Sequence, residues 1–227
     1  MVKLCFDYGH GGEDSGACYK GRKEAADVLS LGREVAADVR RHGVVVHETR
    51  TMDVMMMSLS ERTSFENRNT YDYFISFHRN AYQPEKASGV ETYIHLNGGS
   101  NPKALAEKIQ TSLVALGFVD RGVKKSNYYV LRETKAPAVL IEIGFVDNSE
   151  DNILFDNKRD EIIKTLAKAI LAQVGIDYVE ASAPAAISGQ TLYRVMAGSY
   201  SVRINAENQV QKLKEIGIDA TIMIFNK

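Results

Sequence analysis

Two cysteines in 227 residues, Cys5 and Cys18, are too few for the disulfide framework that staples small secreted domains. Cys5 lies in an apolar, strand-like run and reads as a buried free thiol. No run approaches the ~20 apolar residues of a bilayer span, which excludes a helical integral membrane protein. The net charge is −1, without the basic excess usual in a nucleic-acid binder. Residues 191–227 carry +2 and the remainder −3, a slight bias of the tail toward an anionic polymer. The opening MVKLCFDYGHGG has too short an apolar core for a signal peptide. The expectation is synthesis and retention in the cytoplasm unless another factor releases the chain.

What is present is ordinary globular composition, 44% hydrophobic and 25% charged, which excludes disorder and fibrous repeats. The length accommodates a domain of roughly 150–200 residues with a small extra module. Strand-like runs at 2–7, 44–48, 73–78, 89–96, 127–131 and 138–143 alternate with helical periodicities at 22–41, 59–69, 101–116 and 149–174. AVLIEI at 138–143 is apolar on nearly every residue, as in a central strand covered on both faces. This order predicts an α/β domain with a mostly parallel twisted sheet flanked by helices. Residues 179–190, small and polar, read as a linker between a domain at 1–178 and a β-α-β module at 191–227. So small a module buries little apolar surface and needs a partner surface.

Ligands of such sheets sit beyond the carboxyl ends of the strands. Three unusual residues fall there: His10 in the Gly-rich turn GHGG, His78 ending YFISFH, and Glu142 within AVLIEIGF. Glu24 opens the helix after Gly21-Arg22-Lys23. Singly, His10 and Glu24 read as a polar loop residue and a favourable helix-start acid. Together, His10, Glu24 and His78 form a ligand set suited to Zn²⁺, with a fourth position open for water. A carboxylate in a strand as apolar as that of Glu142 is costly unless paired or functional. Desolvation would raise its pKa toward the range useful for proton shuttling. His42, His47 and His95 are poorer candidates, placed near a helix end or in strands leading away.

FDYGHGGEDSGA, GRKEAADVL, ETRTMD, LSERTSFEN, FISFHRNA, GVETYIH, DRGVKKSNYYVLRET and PAVLIEIGFVDN follow one another in order. Over roughly residues 2–176 this series resembles zinc-dependent N-acetylmuramoyl-L-alanine amidases of the autolysin and phage-endolysin type. The resemblance implies one zinc per chain on His10, Glu24 and His78, with Glu142 as the catalytic glutamate. It implies a peptidoglycan hydrolase that cuts between N-acetylmuramic acid and the L-alanine of the stem peptide. Asn80 is a candidate for orienting the neighbouring ring or contacting the glycan. Two departures stand out: Tyr8 replaces a usual proline, and Arg79 stands where a small residue is common. Both are expected to alter the edge of the site. No long inserted helix of the kind that blocks divisome-regulated members is present, so the site is expected to be open.

The tail LYRVMAGSYSVRINAENQVQKLKEIGIDATIMIF resembles half of a SPOR repeat, a module associated with peptidoglycan binding. A full module has two such halves, so a homodimer pairing two tails is expected. Neither nucleic acid nor membrane is expected as a partner. Action on the wall would then follow holin-mediated release or cell lysis. Two alternatives share these residues: a zinc peptidase cutting within the stem peptide, and a non-catalytic wall-binding protein working through its tail.

Overall fold

The computed structural model describes residues 1–181 and 196–224. In chain order the elements are β1 (Lys3–Tyr8), β2 (Cys18–Tyr19), β3 (Arg22–Lys23), α1 (Glu24–Arg40), β4 (Val45–Glu48), α2 (Leu59–Asn67) and β5 (Tyr73–Asn80). There follow β6 (Val90–His95), α3 (Ser100–Val114), β7 (Asp120–Ser126), α4 (Tyr129–Arg132), β8 (Ala138–Phe145), α5 (Ser149–Asn157), α6 (Arg159–Gln173) and α7 (Arg203–Glu215). They fall into two compact units, Met1–Val179 and Glu180–Lys227.

The first unit is α/β, as the alternation of elements predicts. Six strands form one sheet in the order β4-β1-β5-β8-β6-β7. β1, β4, β5 and β8 run parallel, and β6 is antiparallel to β8 while parallel to β7. Strand alternation sorts the side chains onto two faces. One face carries Leu4, Phe6, Tyr8, Ile75, Phe77, Val139, Ile141 and Ile143 into the main core, with apolar residues of α1, α3 and α6. The other carries Cys5, Phe74, Ala138 and Leu140, covered by Phe65 of α2 and Val130 and Leu131 of α4. On this second face the sequence turns polar toward the carboxyl ends: Phe74, Ser76, His78 along β5, and Ala138, Leu140, Glu142 along β8. Period-2 alternation thus sets His78 and Glu142 on the thinly covered face.

Two readings of the chain are corrected. NYYVL (127–131) is not a strand: its residues enter α4, and Val130 and Leu131 are buried against Phe74 and Leu140. The strand is the preceding DRGVKKS, whose polar side chains suit an exposed edge pairing only with β6. The helix expected over 149–174 is two helices. α5 is capped by the Asn148 side chain, which accepts from Asp151 N–H, and it ends at Lys158 where α6 begins. A small antiparallel pair, β2 with β3, was not anticipated.

In the second unit the expected helix forms as α7. Residues 196–200 and 218–224 carry no strand, while 192–195 and 225 lie outside the described residues. Most of the expected linker, 182–190, also lies outside the described residues. Among the described residues no helix is long and apolar enough to cross a membrane.

Candidate metal centre and active site

His10 follows β1 in a backbone conformation that L-residues rarely adopt, with φ of +62°. Such a conformation costs on the order of 1–3 kcal/mol and persists only where surrounding contacts fix it. Two buried arginines do so. Arg62 donates to the carbonyls of Tyr8 (2.6 Å) and His10 (2.7 Å), and to Asp7 Oδ1 (2.7 Å). Arg50 donates to the carbonyls of Tyr8 (3.0 Å) and Gly9 (2.9 Å). Asp7, fully buried, also accepts from Thr49 and Ser76 hydroxyls. Burial would raise its carboxyl pKa, but the Arg62 charge and these hydrogen bonds hold it below the usual carboxylate range.

Glu24, the first residue of α1, lies between the two imidazoles. Its Oε2 is 3.1 Å from His10 Nε2, and its Oε1 is 3.0 Å from His78 Nδ1. Backbone N–H groups of Ala17 and Arg79 each donate to it at 3.0 Å. The other nitrogen of His10, Nδ1, meets Asp14 Oδ2 at 2.8 Å. If that nitrogen carries the proton, the Nε2 lone pair faces the cluster, the usual way a neighbouring carboxylate orients a ligating histidine. Potential ligand atoms of His10, Glu24 and His78 all lie within 4.8 Å of one another.

Two glycines make room for this cluster. A Cβ on Gly9 would stand 2.2 Å from His78 Cε1, and one on Gly16 would stand 2.6 Å from His10 Cδ2 and 2.7 Å from Glu24 Oε2. Electrostatics point the same way as geometry. Burial pulls the His10 imidazole down, but Glu24 and then Asp14 override it and lift its pKa to about 9. His78 is likewise raised by Glu24 against its burial. Glu24, despite burial, is held well below the usual carboxylate range by both imidazoles. Two nitrogens and one buried carboxylate, already drawn together by positive charge, form a donor set that suits a divalent cation such as zinc.

Glu142 stands opposite His78 in the parallel ladder of β5 and β8. Its Oε2 is shielded and has no hydrogen-bond partner among the described residues. Burial, with the negative charges of Glu24 and Glu91, pushes its pKa up to about 7, although His78 and His10 draw it down. A carboxyl poised there can take and return a proton near neutral pH.

The sequence-predicted residues His10, Glu24, His78 and Glu142 are therefore brought together. Asn80 donates its amide to Glu91 Oε1 at 2.5 Å and accepts from the Ala81 N–H at 2.8 Å, so its hydrogen bonds among the described residues go to these groups and not to an imidazole. Tyr8 and Arg79 do not form the edge of the site. Tyr8 is fully buried on the helix-covered face. Arg79, one residue out of phase with His78, projects the same way, donating to Asp27 (2.6 Å) and the Ile143 carbonyl (3.0 Å) over the Phe155 ring. His42 and His47 have structural partners, the Asp38 carbonyl and the Tyr71 hydroxyl, and His95 lies by Asn127. Sequence reasoning missed Asp14, Arg50, Arg62 and Glu91. Asp14 sits four residues after His10 in the same turn, which was a usable signal; the other three declare themselves only through tertiary contacts.

Residues 4–172 match the N-acetylmuramoyl-L-alanine amidase family, and residues 164–224 match the SPOR domain. The chain is 32% identical over 228 residues to a sporulation-specific N-acetylmuramoyl-L-alanine amidase of Bacillus subtilis (strain 168), covering 99% of this chain and 85% of that protein. Its fold is similar to the crystal structure of an N-acetylmuramoyl-L-alanine amidase from Clostridium difficile 630, with TM-score 0.73 and 29% identity over 77% of this chain and 97% of that one. It is also similar to the catalytic domain of CwlV, an N-acetylmuramoyl-L-alanine amidase from Bacillus (Paenibacillus) polymyxa var. colistinus, with TM-score 0.72 and 28% identity over 78% of this chain and all of that one.

Proposed function

The chain belongs to the N-acetylmuramoyl-L-alanine amidase family, and we infer that its four central residues carry that chemistry in assigned roles. The activity is peptidoglycan hydrolysis at the amide between N-acetylmuramic acid and L-alanine. The observation that supports the roles is the convergence of His10, Glu24 and His78 within 4.8 Å, with Glu142 paired to His78 across one ladder.

In this reading His10, Glu24 and His78 hold one zinc ion per chain. When bound, zinc supplies Lewis acidity that polarises an amide carbonyl and lowers the pKa of water. Asp14 holds the His10 tautomer, while Arg50 and Arg62 fix the turn that presents the ring. Glu142 takes a proton from the attacking water and delivers it to the departing alanine nitrogen. Its carboxylate serves as base while water attacks, and its carboxyl as acid while the C–N bond breaks. Digestion of purified walls tests this: new amino-terminal alanine without new reducing sugar is expected, and it should cease on chelation and return with zinc. A different new amino terminus would favour a peptidase, and binding without turnover a wall-binding protein.

Residues 1–178 act as the catalytic domain, 179–190 as a linker, and 191–227 as a SPOR-like half-repeat that binds the wall. Two chains pair their half-repeats into a homodimer. Exposed Met196, Val202, Ile216, Ile218, Met223 and Ile224, beside a helix without a strand partner among the described residues, support this. Light scattering on the eluting species checks it, and a monomer at micromolar concentration would rule it out. Likeness to a sporulation-specific amidase supports access to the wall through lysis of the producing cell, with holin-mediated release as the phage equivalent. Fractionation before and after lysis tests that route.

A further inference from the structure

Glu91 is the acidic residue next to Glu142 on the side away from the histidines, directly opposite it in the antiparallel pairing of β6 with β8. It is buried, yet heavily satisfied. Its Oε1 accepts from Asn80 Nδ2 and the Tyr93 hydroxyl (2.8 Å), and its Oε2 from Arg121 Nε (3.0 Å) and Lys124 Nζ. Both cations come from β7, the open edge of the sheet.

One carboxylate faces two cations, so the group keeps one positive charge in excess. Asp120, the adjacent acid, is occupied by Gln110 and the Gly122 N–H. Arg121 is steadied over the Phe145 ring, 4.9 Å from its centroid. The Arg121 and Lys124 side chains are still 34% and 39% exposed, so they retain donors facing solvent. A row therefore crosses the sheet from His78 through Glu142 and Glu91 to a cationic edge. Neighbouring strands lie about 4.8 Å apart, and both cations reach back from β7 to Glu91, so their charged ends lie between one and two strand spacings, roughly 5–10 Å, beyond Glu142.

The geometry points to Arg121 and Lys124 as the subsite for a carboxylate on the stem peptide, in the residues that follow the scissile alanine. This rests on the amidase reading above. An extended peptide advances at most about 3.5 Å per residue, so a carboxylate on the second residue past the cleaved bond, about 7 Å along, falls within that span. The opposite direction leads to the His78 and His10 imidazoles with the Glu24 carboxylate between them. The row thus sets polarity: peptide toward β7, glycan away from it. Glu91 holds the two cations in place and keeps the excess charge from collapsing onto Glu142. Binding through paired, charge-assisted donors also distinguishes a carboxylate from its amide, which presents one donor group to repel them.

The experiment compares two soluble glycan-strand substrates that differ only at the residue after alanine, carrying a free carboxylate or its carboxamide. Wild type is expected to show about tenfold higher kcat/KM for the carboxylate form, expressed mainly in KM. Arg121→Gln with Lys124→Gln should bring that ratio to about one, whereas Arg121→Lys with Lys124→Arg should restore most of it. Zinc content reports that each variant is folded. A wild-type ratio near one, or a preference that survives the double glutamine variant, overturns the subsite. Failure to release alanine-terminated peptide from either substrate overturns the amidase reading and the subsite with it.

Discussion

His78 and Glu142 face each other across the parallel ladder of β5 and β8, one a candidate zinc ligand and the other the candidate proton carrier. Directly paired residues project to the same face of a sheet. A rigid ladder therefore fixes the distance between metal chemistry and proton transfer, where two loops would leave it variable.

That placement has a cost in the metal-free protein. Glu142 is raised to about 7 by burial, above its ordinary value of 4.5. The folded state then holds the proton more tightly than the unfolded one, so stability falls as pH rises between those values and stays low above them. Glu142→Gln should raise the apo melting temperature by roughly 2–6 °C at pH 8, with little gain at pH 4.5. Thermal unfolding at the two pH values checks the sign.

Zinc uptake should release protons. His10, lifted to about 9, is protonated beside Glu24 at pH 7 without a metal, and Glu24 raises His78 as well. Ligation requires neutral imidazoles. Calorimetry in buffers of different ionisation enthalpy should report about one proton or more released per zinc at pH 7. Apparent affinity should strengthen as pH rises toward 9.

Asp14 is more than half exposed, so its loss should spare the fold. Its bond to His10 Nδ1 orients the ring, and Asp14→Ala should weaken zinc binding about 10- to 100-fold. Competition with a chromophoric chelator measures this.

Gly16 and Gly21 form a matched pair. Both have positive φ, +63° and +82°, but a Cβ at Gly16 strikes His10 and Glu24 while one at Gly21 meets nothing within 4 Å. Gly21→Ala should cost only about 1 kcal/mol of backbone strain. Gly16→Ala should abolish stoichiometric zinc binding, as metal analysis of the two purified variants would show.

Much of this site was legible because alternation in β5 and β8 marks a polar residue at the end of an apolar row, as at His78 and Glu142. Alternation read one residue further would also have sent Arg79 to the helix side, where Asp27 receives it. NYYVL misled because aromatic and branched residues suit a strand, yet hydrogen bonding with β6 selected the polar DRGVKKS instead. Glu91 stayed hidden because its position beside Glu142 depends on an antiparallel pairing that no local pattern encodes. Arg50 and Arg62 appeared in ETRTMD and LSERTSFEN without a role, since the carbonyls they bind belong to the distant turn at His10.

The most direct test separates metal retention from turnover. Wild type and Glu142→Gln would be purified side by side, their zinc quantified, and alanine-terminated peptide release from purified walls followed. The expected result is about one zinc per chain in both, with turnover reduced at least 100-fold in the variant. Loss of zinc in the variant would make Glu142 a ligand, and undiminished turnover would remove it from the reaction; either contradicts the division of roles between His10, Glu24, His78 and Glu142.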